Sequence, residues 1–275
     1  MKTAGAVPVL MYHHVSPNPG LVTISPENFR AQMRWLAGHG YTTIGCDDLA
    51  GFLRGEPLPA KSVLLTFDDG YLDNYVHAHP ILAEFGLKAA LFIITGRIGD
   101  GPARACAGEA GGVEVPPTPA HKACMAAIED GRADAVMLRW SEVEAMRAAG
   151  SFEFHSHTHS HTRWDQVEPD VARRHALLAD DLAQSRTTLQ SRLGSASPHL
   201  CWPQGYHDDG YVATALAQGF TTLYTTIPGT NAMSGDATHL RRIVVKGAAD
   251  WLGRRLWIYR HPTLTSSYLA LRNIF

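Results

Sequence analysis

The 275-residue sequence contains few cysteines, little net charge and no long apolar run. The cysteines are scattered and form no C-x-x-C pair, so they indicate neither a disulfide scaffold nor a cysteine zinc site; they are Cys46, Cys106, Cys124 and Cys201. The 24 Lys and Arg residues nearly balance the 26 Asp and Glu residues, and a net charge of -2 offers no electrostatic footprint for nucleic acid or an anionic membrane. A bound metal is therefore expected to have histidine and carboxylate ligands.

No stretch approaches the roughly 18 consecutive apolar residues of a membrane-spanning helix, so no span is predicted. The first eight residues hold no apolar run of the length that a secretory signal needs. From this we expect a cytoplasmic protein, the alternative being an extracytoplasmic protein whose leader has been removed. The sequence shows no internal repeat, and it does not determine the oligomeric state.

Strand-like and helix-like segments alternate along the chain, which predicts a parallel sheet covered by helices, a distorted (β/α)7-8 barrel in a single domain over residues 1–275. Residues 98–136 break the rhythm and are expected to form an insertion of loop and short helix, either a surface decoration or a lid over a site. Residues 247–275 are expected to be a C-terminal extension. Strands are predicted over 9–12, 41–44, 63–67, 89–94, 152–157, 200–202, 222–225 and 243–245, and helices from 25, over 72–85, from a capping box at 141 to Gly150, and over 169–193.

Two motifs at predicted strand ends carry the strongest chemical signal. Thr66-Phe67-Asp68-Asp69-Gly70 offers two adjacent carboxylates, of which one can bind a metal while the other acts as a base; a polar turn is the plain alternative. The segment 155–161 has histidines at alternate positions, and a His-x3-His pair with one carboxylate leaves a fourth metal position for water. A solvated polar loop is the alternative there.

Two further motifs are weaker on their own. Trp202-Pro203-Gln204-Gly205 follows a short predicted strand as a tight turn, and Tyr12-His13-His14-Val15 ends the first apolar run. Because reactive groups of β/α barrels gather at the C-terminal ends of the strands, all four motifs are expected to converge on one mouth.

Together the motifs resemble those of the NodB-homology polysaccharide deacetylases, carbohydrate esterase family 4. The first family motif, T-F-D-D-G, is matched by residues 66–70, and the second, H-[ST]-x-x-H, by residues 157–161. The early Tyr12-His13 segment is similar to that of the circularly permuted branch, which includes poly-N-acetylglucosamine deacetylases. The resemblance extends from Pro8 to about Lys246 and implies the NodB-like barrel.

The resemblance also implies site roles. Asp69, His157 and His161 would bind one divalent metal, most readily zinc, with nickel or cobalt as alternatives. Asp68 would be the general base and His13 the general acid, with His261 as the rival acid if the domain is not permuted.

The third motif and its surroundings carry the remaining implied roles. The backbone N–H of Gln204 would help to hold the oxyanion. Trp202 is a candidate for supporting the residues of the site from behind. Cys201 stands where many family members have an arginine that pairs with the base, and Arg242 is the candidate to supply that charge. His155 stands where a small residue is usual and is either a hydrogen-bonding support of the site or a buried structural histidine.

The predicted activity is hydrolysis of N-acetyl groups from amino-sugar residues of a glycan, releasing acetate. Two alternatives stay open: a metal-dependent amidase of the same fold acting on a small or lipid-linked N-acyl substrate, and a non-catalytic carbohydrate-binding relative. The sequence does not determine the sugar or its linkage.

Overall fold

The computed structural model describes residues 3–108 and 114–272. The strands are β1 Ala6–Val7, β2 Val9–Tyr12, β3 His14–Val15, β4 Thr23–Ile24, β5 Thr42–Thr43, β6 Ser62–Asp69, β7 Ala89–Ile93, β8 Phe152–Ser156, β9 His199–Cys201, β10 Thr222–Tyr224, β11 Asn231–Ala232 and β12 Ile243–Val244. The α-helices are α1 Pro26–Gly38, α2 Cys46–Leu53, α3 His79–Phe85, α4 His121–Glu129, α5 Trp140–Ala148, α6 Trp164–Val167, α7 Val171–Leu193, α8 Asp209–Ala217, α9 Ala249–Tyr259 and α10 Pro262–Arg272.

Seven parallel strands form the main sheet in the order β10-β9-β8-β7-β6-β2-β12, and β5 pairs with the start of β6. The segment before β12 links the two edge strands, β12 and β10. Leu240 bridges to Tyr224 of β10, and the Arg242 N–H donates to the Ile227 carbonyl at 3.0 Å. The sheet therefore curls into the distorted barrel that the alternation predicts. No helix in the described ranges has the length and apolarity needed to cross a membrane.

Strand β6 shows how the sequence sets the two faces of the sheet. All eight of its residues are buried. Val63, Leu65 and Phe67 pack on the helix-covered side, whereas Leu64 packs inside the barrel with apolar side chains of β2, β7 and β10. Because strand side chains alternate, Asp68 shares the inner face with Leu64.

Several predicted elements differ in extent from those observed. The strand expected over 41–44 is only the two-residue β5. The helix expected over 72–85 begins with a π-helical turn, Asn74–Ala78, before α3. The capping box at Ser141 was wrong: α5 begins at Trp140, and the Glu142 carboxylate accepts the Arg139 N–H at 2.8 Å.

The described part of the insertion over 98–136 contains one α-helix, α4, and a short 3-10 helix, Ala133–Ala135; most of the remainder is loop, as expected. Residues 109–113 of that prediction lie outside the described residues. The C-terminal extension forms α9 and α10 as far as residue 272, and Leu252 and Leu256 of α9 join the main core.

Candidate active site

The C-terminal ends of β2, β6 and β8 and the turn after β9 surround one cavity of about 310 Å³. Seven of the site residues predicted from the motifs line it: His13, Asp68, Asp69, His157, His161, Trp202 and Gln204. Parallel strands present their carboxyl ends on one edge, which is why motifs far apart in the sequence meet here.

Asp68 is held by a two-point ion pair with Arg242. Arg242 donates from Nη1 to Oδ1 and from Nη2 to Oδ2, both at 2.8 Å, and both side chains are almost completely buried. Burial would raise the pKa of Asp68, but the Arg242 charge outweighs it and holds the pKa below its usual value. Asp68 is therefore ionised and oriented, as a proton acceptor must be.

The cysteine at position 201 lies beside this ion pair. Arg242 Nη2 donates to Cys201 Sγ at 3.0 Å, and Arg242 Nε donates to the Thr225 carbonyl at 2.7 Å. The guanidinium enters from the start of β12, so a charge next to Asp68 is present although position 201 carries none.

Asp69, His157 and His161 bring three donor atoms together at the cavity. Asp69 Oδ1 lies 3.4 Å from His157 Nε2 and 3.5 Å from His161 Nε2. Ligand atoms about 2.1 Å from a tetrahedral zinc ion are separated by about 3.4 Å, so these spacings fit one cation better than they fit hydrogen bonds. His157 Nδ1 is 2.7 Å from the Cys201 carbonyl, which fixes the tautomer that leaves Nε2 for the metal.

Backbone conformation turns these donors toward each other. Asp69 has φ of 78° and His161 has φ of 62°, both in the left-handed region that non-glycine residues rarely adopt. In regular strand geometry Asp69 would face away from Asp68; its left-handed conformation ends that alternation. Strain of this kind clusters at functional sites.

The electrostatics of the cluster favour a positive charge. Burial would lower the pKa of His157, but Cys201 and the carboxylates of Asp69 and Asp68 raise it well above its ordinary value. Burial and the neighbouring His157 lower the pKa of His161 to about 4, so its imidazole is neutral at pH 7. A neutral imidazole beside the Asp69 carboxylate is donor chemistry that a catalytic zinc site uses.

His13 directly follows β2 and lies close to Asp68. Its Nε2 is 3.8 Å from Asp68 Oδ2, and Asn74 Nδ2 donates to its backbone carbonyl at 2.7 Å. Burial lowers the pKa of His13, and the nearby Asp68 charge partly offsets this effect. The rival acid His261 begins the turn before α10, packs near Trp257 and does not line the cavity.

The third motif forms one wall of the cavity. Gln204 has φ of 54°, and its side chain accepts a hydrogen bond from Arg163 at 3.0 Å. A Cβ atom at Gly205 would lie 2.1 Å from Thr226 Oγ1, so only glycine permits this close approach. Trp202 is fully buried and also lines the cavity.

His155 is not brought to the cavity. Its Nδ1 is 2.6 Å from Ser197 Oγ, and its Nε2 is 3.0 Å from Glu153 Oε1. Glu153 also accepts a hydrogen bond from the Cys46 N–H at the start of α2. The contacts among Cys46, Glu153 and His155 therefore join α2 to β8. These contacts agree with the structural alternative for His155.

Other cavity residues were not identified from the sequence. Tyr71 directly follows the first motif, Arg97 follows β7, and His121 lies in the insertion. The position of Tyr71 next to Gly70 was a usable signal. Nothing in the local sequence marks Arg97 or His121, because tertiary contacts alone bring them to the cavity.

Comparison with known proteins shows which family this chain resembles in sequence. The family model described as polysaccharide deacetylase matches residues 55–223. YxkH of Bacillus subtilis (strain 168) is 42% identical over 94 residues, covering 34% of this chain and 33% of the relative. The poly-beta-1,6-N-acetyl-D-glucosamine N-deacetylase of Staphylococcus aureus (strain MRSA252) is 22% identical over 189 residues, covering 68% of this chain and 55% of the relative. The chain thus matches about a third to a half of the length of these relatives.

Two solved structures have a similar fold. IcaB from Ammonifex degensii has a TM-score of 0.72 at 24% identity and covers 94% of this chain and 98% of its own. The Streptococcus pyogenes deacetylase PplD, in complex with acetate, has a TM-score of 0.71 at 24% identity, with coverages of 92% and 99%. These likenesses confirm the predicted barrel. Because the family model matches well over half of its residues, the chain belongs to the polysaccharide deacetylase family.

Proposed function

We propose that this protein is a metal-dependent deacetylase that removes N-acetyl groups from amino-sugar residues of a glycan. The observation that carries the proposal is the spacing of Asp69, His157 and His161 around one point at the cavity, with the ionised Asp68 beside it. The matched S. aureus relative, named for a glucosamine polymer, supports a glycan substrate.

Zinc is the cation that this donor set fits best, because two imidazoles and one carboxylate form a catalytic zinc site with an open position. Nickel and cobalt accept the same ligands. When bound, such a cation lowers the pKa of a water molecule and polarises a carbonyl group. Asp69, His157 and His161 would hold it.

The residues around this point have complementary proton roles. Asp68 accepts the proton of the attacking water, because Arg242 keeps the carboxylate ionised and fixed in orientation. His13 donates a proton to the departing amine nitrogen, which is otherwise a poor leaving group. The backbone N–H of Gln204 helps to stabilise the oxyanion. The products are acetate and a free amino sugar.

Acetate release from a substrate panel tests the proposal. Zinc-loaded protein is offered β-1,6-linked N-acetylglucosamine oligomers, chitin oligomers, peptidoglycan and a lipid-linked N-acetyl sugar. Release from oligomers supports the glycan assignment, and release from the lipid-linked sugar alone favours the small-substrate amidase.

Three variants accompany the panel. Asp68→Asn should lower kcat by at least about 100-fold while metal binding persists. His157→Ala should lower both kcat and the affinity for the metal. Glu56→Gln, at an exposed carboxylate, is the matched control and should behave as the parent protein. Full activity in both Asp68→Asn and His157→Ala, or no acetate from any substrate, would show the proposal to be wrong.

A further inference from the structure

A line of three polar side chains connects the core to the cavity wall and has no part in the proposed chemistry. Asp73 Oδ2 lies 2.5 Å from His14 Nδ1, and His14 Nε2 lies 3.1 Å from His121 Nδ1. Asp73 follows the first motif, His14 follows the catalytic His13, and His121 is the first residue of α4 in the insertion. We refer to Asp73, His14 and His121 as the Asp-His-His line.

The inner part of the Asp-His-His line is rigid. His14 is fully buried and Asp73 is 2% exposed. Asp73 Oδ1 also accepts hydrogen bonds from the Val15 N–H at 3.2 Å and from Asn74 Nδ2 at 2.9 Å. The His14 ring stacks on Tyr71 with centroids 3.8 Å apart. A buried carboxylate with this many donors orients the imidazole beside it.

The outer end of the line faces the cavity. His121 lines it together with Tyr71, Met125, Leu21 and Val22. Its Nδ1 is engaged by His14, so Nε2 is the ring nitrogen left for a ligand. The wall thus combines one oriented polar atom with apolar side chains, as a sugar ring with hydroxyls and C–H faces requires.

We propose that the insertion builds a sugar-binding wall, in which His121 Nε2 hydrogen-bonds a ring hydroxyl of the N-acetylated residue seated next to Asp69, His157 and His161. A hydroxyl both donates and accepts, so it pairs with either tautomer of His121. His121 is the binding residue, and His14 and Asp73 are positioning residues behind it. The inference rests on the proposed function and adds to it the group that recognises the sugar.

The experiment compares two substrates of the zinc-loaded protein. An N-acetylglucosamine oligomer has the ring hydroxyl, whereas an aryl acetate has an acetyl group and no sugar. His121→Phe should lower kcat/KM for the oligomer by about tenfold or more, because a substrate hydroxyl loses its partner. Its kcat/KM for the aryl acetate should stay within about twofold of the parent value.

Further variants separate binding from a structural role. His121→Gln keeps a donor and an acceptor and should recover part of the oligomer activity. Asp73→Asn should raise KM for the oligomer more than it lowers kcat. His77→Phe is the matched control: it removes a 3.1 Å hydrogen bond to Thr118 of the insertion without touching the cavity, and should leave kcat/KM for both substrates unaffected.

Calorimetry with the oligomer, on the Asp68→Asn protein with and without His121→Phe, gives a readout independent of turnover. Weaker binding only with His121→Phe supports the inference. Equal losses on both substrates, or unchanged oligomer binding and turnover in His121→Phe, would overturn it while the deacetylase function stands. If the parent protein neither binds the oligomer nor releases its acetate, the proposed function and the inference fall together.

Discussion

Asp68 and Asp69 are neighbours in the chain but have different partners. Asp68 faces the buried guanidinium of Arg242, and Asp69 faces the two imidazoles of His157 and His161. The left-handed backbone of Asp69 makes this division possible. Two identical side chains thereby have different surroundings, which suit Asp68 to the proposed role of base and Asp69 to that of metal ligand.

Arg242→Gln tests the support of the base. Without the Arg242 charge, burial should raise the pKa of Asp68, so the acid limb of the kcat/KM profile should move to higher pH. Leaving a buried carboxylate unpaired should also cost about 3–5 kcal/mol of stability. The measurements are a pH–rate profile and a urea unfolding curve.

Arg242→Lys is the matched control for that prediction. It keeps the positive charge but loses the two-point geometry, so its acid limb should fall between the parent protein and Arg242→Gln. An unchanged activity and pH profile in Arg242→Gln would contradict the role given to this residue.

Metal binding should weaken as the solution becomes more acidic. The raised pKa of His157 means that a proton competes with the cation for this imidazole. Affinity should therefore fall by up to about tenfold per pH unit once the pH is below the raised pKa of His157, with protons released on binding. Zinc titration calorimetry in buffers of different ionisation enthalpy measures both effects; a pH-independent affinity would contradict the expectation.

At the scale of elements, the ends of the strands position most side chains of the candidate site, and the start of α2 is held by a strand residue. Strand β6 carries both carboxylates, and the turn after β8 carries His157 and His161, the two proposed metal ligands. At the other end of β8, Glu153 accepts the Cys46 N–H at 2.6 Å and so caps α2. Strand β8 therefore contacts α2 near its start and leads into the candidate site at its end.

Glu153→Gln tests this cap. Burial would raise the pKa of Glu153, but hydrogen bonds from His155 and Cys46 lower it to about 2. A lowered pKa contributes stability above the unfolded value of about 4.3, and that contribution disappears as pH falls toward about 2. The variant should thus lose about 1 kcal/mol of unfolding free energy at pH 7 and progressively less below about pH 4.

Urea unfolding at several pH values measures this difference, with Glu56→Gln as the exposed control. Acetate release should be unchanged, because Glu153 lies outside the cavity. A stability difference that grows in acid would show that the Glu153 charge does not act as a cap.

At the scale of the whole molecule, the near balance of charges matters for substrate encounter. The chain carries a formal net charge of -2, which gives little long-range steering of an uncharged glycan. KM for a neutral N-acetylglucosamine oligomer should therefore change by less than about twofold from low to near-physiological salt. Initial rates across a salt series measure this; a steep dependence would indicate recognition by charged surface groups.

The sequence by itself determined the fold class and the chemical motifs. Regular alternation of apolar strands and amphipathic helices predicted the barrel. The spacing of apolar residues within each segment indicates whether it is a strand or a helix and which face is buried. The T-F-D-D-G and H-T-x-x-H segments carried their own chemistry, because each combines ligand type and spacing within a few residues. Arg242 could be named from the sequence as the candidate partner of Asp68, because Cys201 carries no positive charge where many family members have an arginine.

Only the tertiary structure decided which distant residues share the cavity. It brought Arg242 to Asp68 across 174 positions of the chain and His121 to His14 across 107, contacts that no local pattern encodes. It also placed His155 at Glu153 instead of at Asp69 and His161, although strand alternation gives His155 and His157 the same face. Local sequence sets the direction of a side chain, but its depth along the barrel and the neighbours that meet it depend on how every strand packs.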